Sequence, residues 1–342
     1  MARRQTPQTH QCIYCRELKP VGAFNREHVL SEAFGHFNDT LVLHKTVCKD
    51  CNTHFDRQLE RRYTRGSVET LLRFETGLKE LPAPVVKLPF VEVTLPPDHD
   101  WHGIRLGLRM EGKLRIHVFP QAAFLEKESG RWIFLTSYEI DRGALKDTTR
   151  FDLSKSRVFG EAQSDRKAVL EQLRDLGITF ENWADEASTG GGFDGQDLPV
   201  EITITVNKGI RRCVAKYAFN YLAHECGKQF ALNPAFDAAR SFIRYGTEPT
   251  EQLVREKCDL DTVKWFGGNQ PGDKAHELSV WCGPHDSILG HVSLFGCMHY
   301  DVLLAPRYDS VLLPVSSCHR YHLGTLTLQR VPPSPVLPML NI

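Results

Sequence analysis

Cys12-Ile13-Tyr14-Cys15 and Cys48-Lys49-Asp50-Cys51 decide the reading of this chain. Between them stands Phe24-Asn25-Arg26-Glu27-His28-Val29-Leu30, and Asn52-Thr53-His54-Phe55-Asp56 follows directly. A C-x2-C pair makes a tight turn that aims two thiolates at one point, and two such pairs complete a tetrahedral site. Cys12, Cys15, Cys48 and Cys51 leave no open position, so the Zn2+ they would hold is structural. The segment 11–80 has little apolar material for a core, and the metal would supply much of its folding energy.

Outside this segment the composition is ordinary. The 342 residues are 41% hydrophobic and 25% charged, as in water-soluble globular proteins. No apolar run approaches the roughly 18 residues of a membrane span. The opening MARRQTPQTHQC has no apolar segment behind its arginines, so no secretory leader is expected, and the expected compartment is the cytoplasm. The ten cysteines then read as metal ligands or buried thiols rather than disulfides. Forty-two basic and 42 acidic residues exclude a chain that is basic throughout. Residues 1–80 hold 13 basic and 10 acidic residues, 13 − 10 = +3, a small excess that leans toward a nucleic-acid partner.

Glu27-His28-Val29 framed by two C-x2-C pairs, with Asn52 directly after the last cysteine, resembles the HNH nuclease family in its four-cysteine zinc branch. The resemblance implies a β-hairpin and helix wrapped on one metal ion, and hydrolysis of phosphodiester bonds, in DNA by family precedent. It implies His28 as general base, a task suited to an imidazole because its ordinary pKa lies near the working pH. It implies Glu27 and Asn52 as metal ligands, and Asp56, one helical turn beyond Asn52, joins them on the same face. Three oxygen donors favour Mg2+ or Mn2+ over Zn2+; His54 is an alternative ligand. The family also carries an asparagine in the hairpin loop that orients the base. Counting back from Asn52 puts that position on Leu43, which leaves Asn38, earlier in the loop, as the candidate. A plainer reading stands beside these roles: Glu27-His28 as a capping pair and Asn52 as a helix cap.

Arg57, Arg61 and Arg65 recur every four residues, with Arg62 beside them. On a continuous helix they line one face that would follow a phosphate backbone, or form a solvated face paired with Glu60 and Glu69. Arg26 is a candidate for the scissile phosphate.

Pro82, Pro84 and Pro89 break the pattern after residue 80. The expected organisation is a disordered tail over 1–10, a nuclease domain over 11–80 and a mixed α+β domain over 81–342 for target recognition, regulation or oligomerisation. In that second part, strands are expected near VVKLPFVEVTL, on both sides of Glu111-Gly112, at PVEITITV (199–206) and repeatedly from 278 to 331. A helix is expected over 165–177, and STGGGFDGQD (188–197) reads as a loop. The clearest helix runs through GIRRCVAKYAFNYLAHECG, with Ile210, Cys213, Val214, Tyr217, Ala218 and Tyr221 on its apolar face and Lys208, Arg211, Arg212 and Lys216 off it. Its KYAFNYL stretch loosely resembles a helix behind HNH units in bacterial defence-type proteins, although a core role explains it better. Cys282, Cys297 and Cys318, each near a histidine, have irregular spacings that suit buried thiols better than a second zinc. Trp101, Trp132, Trp183, Trp265 and Trp281 suit a core better than base stacking.

The leading expectation is therefore a metal-dependent DNA endonuclease of restriction or anti-phage type. A zinc knuckle that binds nucleic acid without cutting, and an RNA-directed nuclease, are the alternatives. A pure binder has no need of a base beside a hard-metal ligand, which favours the enzyme. Cutting both strands with one site per chain would favour a homodimer.

Overall fold

A computed structural model describes residues 8–78, 91–111, 113–178, 200–249, 251–258, 274–308 and 316–332. The chain forms two compact units, Met1–Glu80 with Val206–Ile342, and Leu81–Thr205. The expected break after residue 80 coincides with the start of the second unit. The expected single domain over 81–342 does not appear: the chain returns to the first unit at 206. The reason is a buried helix of the returning segment, described below.

The first unit begins with two short strands, β1 (Thr9–Gln11) and β2 (Leu18–Pro20), which pair antiparallel and put Cys12–Cys15 at their tip. Arg16 closes that tip, donating its backbone N–H to the Cys12 carbonyl at 3.0 Å from a left-handed conformation, φ 61°. Strands β3 (Phe24–His28) and β4 (Val42–Cys48) form the hairpin. The Val29 N–H donates to Leu41 O at 3.0 Å and extends their pairing into the loop. Phe34 anchors that loop, fully buried against Tyr63, Tyr217, His276 and Phe295. Helix α1 (Lys49–Phe55) follows. It widens to a π-helical stretch over Asp56–Glu60 and continues as α2 (Arg61–Gly66) and α3 (Val68–Glu75).

The second unit is mixed α+β. Strands β5 (Val91–Thr94), β6 (Leu106–Glu111) and β7 (Lys113–Val118) share a four-stranded sheet, and β8 (Gln121–Glu126), β9 (Trp132–Thr136) and β10 (Phe151–Phe159) a three-stranded one. Helix α4 (Ser137–Asp141) opens with a capping box in which Thr136 and Glu139 satisfy each other's backbone N–H groups. Helix α5 (Gln163–Asp175) buries Val169 and Leu173 against Phe124 and Phe151 and ends on Gly177, φ 74°, as the sequence predicts. Strand β11 (Glu201–Ile204) completes the four-stranded sheet beside β5. Trp101 packs on Trp132 and Phe159. The expected loop over 188–197, with Trp183 and Trp265, lies outside the described residues.

Helix α6 (Lys208–Cys226) returns the chain to the first unit. Asn207 caps it, accepting from the Ile210 N–H at 3.0 Å. Helices α7 (Lys228–Ala231) and α8 (Asp237–Tyr245) follow, the latter ending on left-handed Gly246. Strands β12 (Val254–Cys258), β13 (Ala275–Cys282), β14 (Ile288–Leu294), β15 (Met298–Ala305), β16 (Ser316–His322) and β17 (Thr327–Val331) make a six-stranded antiparallel sheet, in the order β12-β15-β14-β13-β16-β17. The apolar face expected for α6 is buried throughout. Gly290 of β14 permits its close approach: a Cβ there would stand 2.9 Å from the Ala218 methyl. The opposite side of α6 is buried as well, at Lys216, Phe219 and Asn220. A helix covered on both sides ties the hairpin segment and the sheet into one unit. Among the described residues no helix is long and apolar enough to cross a membrane.

Candidate nuclease site beside a four-cysteine centre

The four predicted cysteine ligands converge. One sulfur from each of Cys12, Cys15, Cys48 and Cys51 lies within 4.8 Å of the others. Cys15 and Cys48 Sγ are 3.8 Å apart, far beyond a disulfide bond. Four sulfurs held about 2.3 Å from one zinc in a tetrahedron stand about 3.8 Å apart, so the donors fit that ion. Cys48 precedes α1 and Cys51 lies in its first turn, where the helix N-terminus favours thiolate. The Cys48 backbone N–H also donates to Cys12 Sγ at 3.4 Å. Four thiolates at this spacing require a positive ion among them. Elsewhere, Cys297 and Cys318 are buried in the sheet region and Cys282 is exposed. Among the described residues, Cys12, Cys15, Cys48 and Cys51 are the one group of three or more His, Cys, Asp or Glu side chains arranged to hold a metal.

Glu27 and His28 stand at the end of β3. His28 is partly exposed, and its Nδ1 lies 3.3 Å from Glu32 Oε1. Glu32 opens the short 3-10 turn Glu32–Phe34, which Ser31 caps by accepting from the Ala33 N–H at 3.4 Å. Asn38 is exposed in the loop and uses its backbone N–H on Leu326 O at 2.9 Å. Leu43, the position reached by counting, is buried directly across the hairpin from Glu27.

Asn52 reaches across from α1 to the hairpin. Its Nδ2 donates to Asn25 Oδ1 at 3.3 Å and to Arg26 O at 3.2 Å. Asp56 pairs with Arg61, Oδ2 to Nη2 at 2.7 Å. His54 lies toward Arg244 and Arg212, its pKa lowered by burial first and by those guanidiniums second. Arg26, Arg57, Arg61, Arg62 and Arg65 are all exposed.

Glu27 takes the least expected place. It is 4% exposed, ion-paired with Lys216 of α6 and hydrogen-bonded by Asn220 Nδ2 at 3.2 Å. The sequence placed Lys216 off the buried face of its helix. It is instead 1% exposed and also pairs with Glu60 at 2.8 Å. Burial works against its charge, but Glu27 and Glu60 outweigh burial and raise its pKa above the ordinary lysine value. Its ammonium also lies 5.7 Å from the Phe55 ring centre. The donor set Glu27, Asn52 and Asp56 has the chemistry for a hard ion. In this arrangement Glu27 pairs with Lys216, Asp56 pairs with Arg61, and Asn52 donates to the hairpin.

Tyr14, Asn25, Glu32, Lys216 and Asn220 escaped the sequence reading. Lys216 and Asn220 carried one signal: both lie in the KYAFNYL stretch that loosely resembles a helix behind HNH units. No curated protein and no solved structure matches the chain. Residues 12–66, the segment that holds both cysteine pairs, the Glu27-His28 step and Asn52, match the HNH endonuclease family.

Proposed function

We propose that the first unit hydrolyses phosphodiester bonds in DNA, with His28 as general base. The observation that carries this reading is the placement of the His28 ring. Its Nδ1 faces the Glu32 carboxylate at 3.3 Å while the ring keeps access to solvent. A carboxylate on Nδ1 favours the proton there and leaves Nε2 as an acceptor. Nε2 then takes a proton from water as the water oxygen bonds to phosphorus and the bridging P–O bond breaks. Glu32 takes the orienting task expected of Asn38, and Asn52 fixes the backbone at Arg26, two residues before the base. Arg26, Arg57, Arg61 and Arg65 supply exposed positive charge for the phosphate backbone. The second unit suits target recognition, in the restriction or anti-phage setting.

Plasmid cleavage by the purified chain with Mg2+, Mn2+ or EDTA, wild type against His28→Ala, tests the reading. Nicking or linearisation lost in His28→Ala is expected. Cutting retained by that variant would remove His28 from the role of base. The pairing of Glu27 with Lys216 and of Asp56 with Arg61 favours the second reading, a zinc-stapled module that binds nucleic acid without cutting. Tight binding with no cleavage by wild type would establish it.

A further inference from the structure

Lys216 and Asn220 are four residues apart on α6, hence on one face, and both are buried, at 1% and 0% exposure. Asn220 uses its whole amide. Nδ2 donates to Glu27 Oε1 at 3.2 Å and to the His28 carbonyl at 3.3 Å, while Oδ1 accepts from the Tyr14 hydroxyl at 2.7 Å. A carboxylate and a carbonyl can only accept, so the amide faces one way. Tyr14 stands between Cys12 and Cys15 and packs edge-on against Phe55 and Phe219. A line of contacts thus runs from the zinc turn through Tyr14 and Asn220 to the backbone of the proposed base.

A satisfied buried amide is ordinary in a core. Here its partners are the carbonyl of His28 and the carboxylate one residue before it. Fixing the peptide after His28 fixes the direction in which the imidazole leaves the strand.

We infer that Asn220 is a positioning residue of the nuclease site: with Tyr14 it holds the Glu27 carboxylate and the His28 carbonyl, so the site is completed from α6, outside residues 12–66. The role rests on His28 as base. Lys216 supports it by neutralising Glu27, which lets the carboxylate stay buried beside the amide.

The test compares wild type, Asn220→Ala and Tyr14→Phe in the full chain by steady-state cleavage and by amide hydrogen exchange. In Asn220→Ala, kcat should fall by about tenfold to a hundredfold with KM unchanged, the scale of a small misplacement of a catalytic group. Exchange at residues 27–29 should rise by about tenfold or more while β13–β15 stay protected. Tyr14→Phe loses only a hydroxyl, so it should fold and move both readouts the same way by less; it carries the test alone if Asn220→Ala fails to fold. A kcat within about twofold of wild type in both variants would overturn the inference. So would a loss of rate accompanied by faster exchange throughout the unit, which marks general destabilisation. If wild type itself does not cut, the nuclease reading fails separately. Local exchange then decides: a rise confined to 27–29 supports the hold on the strand, and no change overturns it.

Discussion

Glu27 and Lys216 form an ion pair in which the two side chains are 5% and 1% exposed. The carboxylate that the family resemblance gives to a metal meets an ammonium from a helix far downstream. Breaking a buried pair from one side leaves an uncompensated charge and costs about 3–5 kcal/mol. Lys216→Met should reach that range, because Glu27 and Glu60 both lose their counter-charge. Glu27→Gln should cost less, since Glu60 keeps Lys216 paired at 2.8 Å. The double variant should be more stable than the sum of the two by about 2 kcal/mol. Urea unfolding of the four proteins measures this, and additive costs would show that the pair contributes no coupling.

The four-cysteine centre should carry a single zinc, read by metal analysis of the purified chain. Cys51→Ser should lose it and unravel the turn at Cys12–Cys15, since structural zinc contributes on the order of 10 kcal/mol where the site is not otherwise prefolded. Helices α6 and α8 brace this turn. Arg240, 3% exposed, donates to the Ile13 carbonyl and, at 2.8 Å, to the Ala231 carbonyl. Far-UV circular dichroism of Cys51→Ser should therefore show partial rather than complete unfolding. A wild-type chain with no metal and a mass lighter by two disulfides would rule the centre out.

Arg57 and Arg65 point to solvent, while the Arg61 guanidinium is already paired with Asp56. If this face follows a phosphate backbone, Arg57→Ala and Arg65→Ala should each flatten the plot of log binding constant against log salt by about 0.9 on duplex DNA. Arg61→Ala should flatten it less. Fluorescence anisotropy with a labelled duplex from low to moderate salt reads the slopes, and three slopes equal to wild type would return these arginines to an ordinary solvated face.

Much of the local structure was legible because it depends on spacing. The C-x2-C pairs fix their own turns, Gly177 marks a helix end, and α6 shows its apolar face at helical period. The partners of Glu27 were not legible. Lys216 and Asn220 meet it only after the chain has passed through the 81–205 unit and come back, and Tyr14 joins them through Asn220. No local pattern records which helix returns to which strand. A single apolar stripe also predicts one buried face, whereas α6 is covered on both, so Lys216 is buried although it lies off that stripe.

His276 gives a pH dependence of known sign. It is fully buried; its Nδ1 accepts from the Phe295 N–H at 3.0 Å, so Nε2 carries the proton it shares with Phe34 O at 2.9 Å. Burial, opposed in part by that carbonyl, lowers its pKa from 6.5 to about 4. The folded state therefore binds this proton less readily than the unfolded state. The contribution to stability is complete above pH 6.5 and is lost as pH falls from there toward 4, amounting to about 3 kcal/mol. The contact also ties the loop behind His28 to the sheet, because Phe34 closes the turn that carries Glu32. Urea unfolding at steps from pH 7.5 to 4 should show stability declining through this window. His276→Gln, which loses the titrating ring, should start lower and decline less. Equal slopes for the two proteins would mean that His276 is not the group responsible.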